Sequence, residues 1–397
     1  MKKIMILGAS ILQLPAIIKA KKMGIKVIAV DMNPEAVGFK EPGVVNEIIS
    51  TIDTDAIIKS AHEHHINGIM TLASDLPNRS VAAVAKEMKL PGITEDCALK
   101  TTDKALMRET LLVNNVAVPE FYRCQNIKEY RAAVEKLRGK CIVKPTDNSG
   151  SRGVFLMGYN KDEMTVDEIY AYSLQYSRSG VVLVEEYMEG PEVSVETISI
   201  NGMCHVIQIT DKLTTGAPHF VEMGHTQPSV LPERIKNEIS EIAVKANQAL
   251  GIANGPSHTE IIVTKDGPKI VEVGARLGGD NITTHLVPMS TGVDMVKCCI
   301  QIALGEEPDL TIKQKKASAI HYLKSGFGCI ESILGLEEAK KIPGVKQIEV
   351  IYNTGDKLVD IQSSTDRVGF VISQGKTPEQ ANLICKSALE KIKIEVK

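Results

Sequence analysis

The 397-residue chain has no tryptophan, only six phenylalanines and nine tyrosines. So few aromatics argue against the stacking platforms on which single-stranded nucleic acids are held. A formal net charge of −3 removes the basic footprint of a nucleic-acid partner as well. No stretch approaches the roughly 18 to 20 apolar residues that a membrane-spanning helix needs, so no membrane partner is expected. Eight cysteines are scattered without a C-x-x-C pair, and only Cys298 and Cys299 are adjacent. That pattern is neither a disulfide framework nor a zinc knuckle, and it predicts a reducing, cytoplasmic setting. The opening MKKIMILGASILQLP has the lysines and short apolar run of a signal peptide but lacks a small-residue cleavage site, so Lys3–Leu7 is read as a first strand. Internal repeats and low-complexity segments are absent too.

Residues 1–95 alternate apolar strands (KIMILG, KVIAVD, EIIST, GIMTLA) with helical stretches (LPAIIKAKKMG, DTDAIIKSAHEHH, DLPNRSVAAVAKEM). Such alternation predicts a parallel, doubly wound α/β sheet. Gly8 closes the first strand and Asp31 the second, as in a dinucleotide fold. The connecting loop GASILQLP lacks G-x-G-x-x-G, however, which disfavours a nicotinamide oxidoreductase. Gly92 to Thr102 reads as a linker into the helix DKALMRETLLVNN. Residues 120–190 hold short strands and a helix, and residues 191–310 hold mostly antiparallel strands with helices at 233–250 and 290–304. Beyond 311 come the strands ASAIHYLKS and KQIEVIY and a closing helix TPEQANLICKSALEKI.

Three stretches could carry chemistry. In CIVKPTDNSGSRGV a strand delivers Lys144 and then turns through small residues, leaving backbone N–H groups open to anionic oxygens. Alone, it is equally readable as a flexible hairpin connection. In VVLVEEYMEGPEVSVE an apolar strand ends in Glu185 and Glu186, where an adenine edge could be recognised, and Glu192 follows within reach of ribose hydroxyls; alone, a β-turn-β with solvated acids explains it better. The most specific is PSHTEIIVTKDGPKIVEVGARLGGD, a hairpin turning at Asp266–Gly267. His258 and Glu260 lie on its first strand; Glu272, Gly274 and Arg276 alternate along the second and share a face. Two converging carboxylates plus phosphate oxygens suit a magnesium ion, and Arg276 would reach a developing oxyanion. Cross-strand charge pairs on a wet face do not explain why the hairpin runs on into the Gly-rich ARLGGD.

Together with the TDKALMRETL helix, these stretches resemble the ATP-grasp superfamily of carboxylate–amine ligases over about residues 1–310. HTEIIVTKDGPKIVEVGARLGGDNI, with GHTQPS upstream, is most similar to the branch holding bacterial L-amino-acid (dipeptide) ligases, beside carbamoyl-phosphate-synthase-like and purine-pathway members. The resemblance implies a Rossmann-like domain at 1–95, a small ATP-grasp lobe at 96–190 with a lid loop at 148–154, a large lobe at 191–310 with the Mg-ATP site, and a C-terminal α+β region at 311–397. It implies that Lys104 and Lys144 contact ATP phosphates and that Ser149, Gly150, Ser151 and Gly153 cover them. Glu185, Glu186 and Met188 would lie against adenine, Glu192 on the ribose, and Glu260 and Glu272 on magnesium, with manganese as an alternative. Arg276 would steady the acyl-phosphate and tetrahedral species, and His225, His258, Gly278 and Gly279 are candidates for the substrate side. Many members carry Asn where this chain has Gly274, leaving water, Asp280 or Asn281 to complete a second metal site.

The expected activity is ATP-dependent amide formation through an acyl phosphate, on amino acids or other small metabolites, with a small-molecule carboxylate and amine as partners and a homodimer as the common family assembly. Two alternatives stand beside it. One is a bicarbonate-using, carbamoyl-phosphate-synthase-like enzyme; the other is a nucleotide-binding regulatory protein without catalysis, against which the intact Lys104, Lys144, Glu260, Glu272 and Arg276 set counts. The HEHH run at 62–65, Lys313–Lys316 and Cys298–Cys299 are read as solvated face, domain junction and core packing.

Overall fold

Runs of consecutive buried residues, Ile4–Leu7 and Val27–Val30, mark strands covered on both faces, as a parallel sheet requires. The computed structural model describes all residues except 149, 151, 159–163, 218, 219 and 325. In it these strands centre a parallel four-stranded sheet in the order Val45–Glu47, Lys26–Val30, Lys3–Leu7, Gly68–Met70. One face packs on Ile57, Ala61 and Val84 of the helices Thr54–His64 and Asn78–Glu87. The other takes Ala16 and Ile17 of Leu14–Lys22 and, from far along the chain, the helix Met295–Ala303 with Val296, Cys298, Cys299 and Ile300. The adjacent cysteines are therefore core packing against the N-terminal sheet.

The loop after the first strand is occupied by its own side chains. Asp31 accepts from the N–H of Ala9 at 2.8 Å and of Asn33 at 2.9 Å. Gln13, almost fully buried, donates to Ser74 at 3.0 Å and fills the space beside Gly8.

The expected linker at Gly92–Thr102 contains a helix, Glu95–Lys100. Thr94 caps it by accepting from the Cys97 N–H at 3.1 Å, and Glu95 and Asp96 in its first turn complement the helix dipole. Cys97 and Ala98 are buried with Met107 and Leu111 of the next helix, Lys104–Val113.

The small lobe is an antiparallel sheet in the order Phe121–Cys124, Val182–Glu186, Cys141–Pro145, Phe155–Met157, backed by helices Ile127–Leu137 and Val166–Leu174. The large lobe is built on an eight-stranded antiparallel sheet, ordered Gly267–Gly274, Gly255–Thr264, Glu192–Ile200, Met203–Thr214, Glu222–Gln227, Ala317–Tyr322, Gly369–Gly375, Val345–Val350. Its sheet runs without a break across residue 310, so three strands of the C-terminal region extend the sheet that carries the hairpin. Helix Pro378–Leu389 covers two of those strands through Ala381, Cys385 and Ala388. Among the described residues no single helix is long and apolar enough to cross a membrane.

Candidate active site

The hairpin strands Gly255–Thr264 and Gly267–Gly274 pair so that Glu260 lies directly opposite Glu272, and His258 opposite Gly274. On the other side Glu260 faces Ser194, and His258 faces Glu196. Directly opposed residues hold their Cβ atoms about 4.5–5.5 Å apart on one face, so the two carboxylates converge. Each meets a lysine. Lys104 Nζ lies 2.8 Å from Glu272 Oε1 and donates to the Asn148 carbonyl at 2.9 Å. Lys212, from the neighbouring strand Met203–Thr214, lies 2.5 Å from Glu192, 3.1 Å from Glu260 and 3.6 Å from Glu222. Burial works against both ammonium groups, yet Glu272 holds Lys104, and Glu260 and Glu192 hold Lys212, above the usual lysine range. Burial likewise works against Glu260, but Lys212 and His258 hold its carboxyl well below the ordinary value.

Arg276 follows the end of the strand and turns to the N-terminal domain. Its Nε and Nη2 donate to Asp75 at 2.9 and 3.3 Å, and Nη1 donates to the Leu277 carbonyl at 3.2 Å. His258 lies between two acids, with Nδ1 2.7 Å from Glu196 and Nε2 3.5 Å from Glu260. Burial disfavours its charge, but Glu196 outweighs it and the imidazole is raised to about 9. His225 Nε2 is 3.3 Å from Asp280, which is gripped by both terminal nitrogens of Arg367 at 2.7 Å. The Arg367 guanidinium lies 3.7 Å from the Tyr322 ring centre. Asp280 and Asn281 both stand in the left-handed backbone region, φ +50° and +60°, a costly conformation for side-chain-bearing residues. Most of these groups, Lys104, Glu192 and Glu196 excepted, line one cleft of about 1320 Å³, whose wall also includes Ser10, Leu12 and Pro15.

Lys144 and Glu185 form a second cluster with Arg108. Lys144 Nζ contacts Glu185, whose other oxygen accepts from Arg108 Nε at 2.5 Å; Arg108 Nη2 donates to the Val271 carbonyl at 2.6 Å. Burial opposes the Glu185 charge, yet Arg108 and Lys144 hold its carboxyl at about 2. Burial pulls Lys144 below the lysine range, against the attraction of Glu185. Glu186 accepts from Lys269 at 3.0 Å and from the Glu120 N–H at 3.1 Å, and Met188 is buried beside it in sequence. Gly150 and Gly153 take left-handed φ values of +66° and +76° that glycine adopts at little cost, and Gly150 lines the cleft. Gly278 packs against the His258–Glu196 pair, whereas nothing crowds Gly279. The predicted Ser149 and Ser151 lie outside the described residues.

Sequence reasoning missed Arg108, Lys212, Asp75 and Arg367. Arg108 had a signal, because counted from Lys104 it falls with Met107 and Leu111 at the i+3, i+4 and i+7 positions of the buried stripe of its helix. For a divalent metal the fit is partial but chemically apt. Glu260 and Glu272 offer two hard oxygens, and among the described residues no group of three or more His, Cys, Asp or Glu is arranged to hold an ion. Further oxygens would come from a nucleotide, as magnesium sites commonly have it.

Residues 137–284 match the family model of the ATP-grasp domain, and residues 321–397 match that of the L-amino acid ligase C-terminal domain 2. The L-arginine-specific L-amino acid ligase of Bacillus subtilis is 26% identical over 285 residues, 68% of this chain and 66% of that protein. The alanine–anticapsin ligase of Bacillus subtilis strain 168 is 28% identical over 277 residues, 64% of this chain and 58% of that protein. The chain thus spans less than two thirds of the length of these two ligases. The crystal structure of an L-amino acid ligase from Bacillus licheniformis superposes with a TM-score of 0.86 at 25% identity, covering 100% of this chain and 99% of that one. With its two-lobed clasp and facing carboxylates, the chain carries an ATP-grasp domain and is similar over its whole length to the L-amino acid ligase structure. The C-terminal match is to a domain of the same L-amino acid ligases.

Proposed function

We propose that this protein is an ATP-dependent carboxylate–amine ligase that joins amino acids through an acyl phosphate. The supporting observation is the register that sets Glu260 against Glu272 and carries on into Arg276, all facing a cleft shared by three regions of the chain. The relatives named above, an arginine-specific L-amino acid ligase and an alanine–anticapsin ligase, favour amino acids as the substrate class.

The residues suit the two steps. A substrate carboxylate oxygen attacks the γ-phosphorus of ATP, the bond to ADP breaks, and an acyl phosphate forms. An amine then adds to the acyl carbon, loses a proton, and expels inorganic phosphate. Phosphoryl transfer needs positioning and neutralisation of oxygen charge. Lys104 and Lys144 would bind phosphates, and Arg276 would hold the acyl oxygen. A magnesium ion on Glu260 and Glu272 would neutralise nucleotide oxygens, and manganese could replace it. The 148–154 loop would exclude water from the labile acyl phosphate.

The test is a screen of the twenty L-amino acids in pairs, with ATP and magnesium, read as phosphate release and product mass. Phosphate release that requires an amino acid, with a product of condensed mass, is the expected result. ATP consumption that needs bicarbonate but no amine, or no consumption with any pair, would refute the proposal.

A further inference from the structure

A Cβ at position 274 would meet side chains rather than open space. The φ of Gly274 lies outside the left-handed region, so backbone freedom is not what the position requires. A Cβ there would stand 2.9 Å from Asp75 Oδ1 and 3.1 and 3.2 Å from Nε and Cζ of Arg276. The volume a side chain would fill is thus taken by a carboxylate from another domain, 201 residues away in sequence. Asp75 and Arg276 are both mostly buried, with side chains 15% and 16% exposed. A second tie holds the same two segments in register, since the Leu277 N–H donates to the Leu72 carbonyl at 2.9 Å.

We infer that Asp75 is a positioning residue for Arg276 and that Gly274 is the opening through which its carboxylate reaches the guanidinium. The inference rests on the ligase reading, in which Arg276 contacts the reacting acyl group. Of the five guanidinium N–H groups, the contacts to Asp75 and Leu277 use three. One N–H remains on each terminal nitrogen, the pair that takes a carboxylate or phosphate oxygen in fork geometry. Without Asp75 the long arginine side chain regains its rotamers and the fork loses its aim. With a methyl group at 274, the carboxylate is pushed off the guanidinium, and the effect is the same. The N-terminal domain therefore completes the active site.

A double-mutant cycle tests this, because two changes that break one contact are not additive. Turnover is read as hydroxamate formation from ATP, magnesium, an equimolar mixture of the twenty L-amino acids, and hydroxylamine as the amine. Asp75→Ala and Gly274→Ala are each expected to lower it by roughly 10- to 100-fold, the cost of a small misplacement, with the KM for ATP unchanged. The double variant should be no worse than the more impaired single variant. Asp75→Asn, which keeps the shape and one acceptor, should recover part of the loss. Losses that multiply, or wild-type turnover in Asp75→Ala, overturn the inference. Full turnover in Arg276→Ala would instead overturn the role of Arg276 in the ligase reading. The cycle read by urea midpoint needs no substrate: Gly274→Ala should lower the midpoint of the parent protein but not that of Asp75→Ala. Additive shifts there overturn the placement of Asp75 even if no acid–amine pair reacts.

Discussion

The site holds more ionised groups than a buried surface tolerates unless each is paired, and Glu185 shows what the pairing is worth. Its carboxylate is 3% exposed and held by Arg108 and Lys144. The carboxyl, ordinarily near 4.5, is held at about 2. A folded-state value below the unfolded one means that the folded protein binds fewer protons, so this stabilisation is complete above pH 4.5 and is lost as pH falls from there toward 2. Integrated over that interval it is on the order of 3 kcal/mol. Glu185→Gln is expected to lower stability at pH 7 by about 3–5 kcal/mol, because Arg108 and Lys144 remain buried without their anion. The check is the urea midpoint at pH 7, 4.5 and 3.5. The parent protein should lose more stability than the variant between 4.5 and 3.5, and equal slopes would show that Glu185 is not ionised in the fold.

At the scale of elements, the hairpin was legible from its residues and most of its partners were not. Alternation, the Asp266–Gly267 turn and the convergence of Glu260 with Glu272 all follow from a period of two and a short turn. The parallel N-terminal sheet was legible for a like reason, because its apolar runs are continuous. Asp75, Lys212 and Arg367 were hidden because their partners lie tens to hundreds of residues away, and no local period encodes a distance across the fold. The helix Glu95–Lys100 was missed because Gly92 and a short polar run outweighed a Thr cap followed by two acids. The ARLGGD turn also shows why adjacent glycines need not be equivalent. A Cβ at Gly278 would stand 2.7 Å from His258 Nδ1 and 2.8 Å from Glu196 Oε2, whereas at Gly279 it meets nothing within 4 Å. Gly278→Ala should therefore cost about 1–3 kcal/mol, as overpacking against a rigid pair does, and Gly279→Ala less than about 0.5 kcal/mol. Thermal melts of the two variants decide it; equal losses would mean that flexibility of the turn, rather than room for the His258–Glu196 pair, is what position 278 provides.

For the whole molecule, the eight-stranded sheet decides how separable the C-terminal region is. Ala317–Tyr322 pairs directly with Glu222–Gln227, the strand that carries His225, and Gly369–Gly375 and Val345–Val350 extend the sheet beyond it. Val221, Met223, Ile282 and Leu286 share one apolar cluster with Ile320, Tyr322, Phe370 and Ile372. Arg367 crosses the same seam to grip Asp280. Cutting the chain after residue 310 would leave Glu222–Gln227 as an unpaired edge, bare that cluster on one side, and strand the Asp280 carboxylate without its cation. An exposed edge beside apolar surface is a template for aggregation, and an uncompensated buried charge costs several kcal/mol. Residues 1–310 are therefore expected to express as insoluble protein or as an expanded species that binds ANS and lacks a cooperative melt. The full chain with Arg367→Met should stay soluble but melt earlier, because the seam remains while Asp280 keeps only His225 and the Ser364 and Glu222 carbonyls lose a donor. A soluble 1–310 fragment with a sharp transition would mean that the C-terminal strands are an appendage. Joint loss of solubility and cooperativity in the fragment, with only a lowered melting temperature in Arg367→Met, would mean that the cleft has no existence apart from the region that closes its sheet.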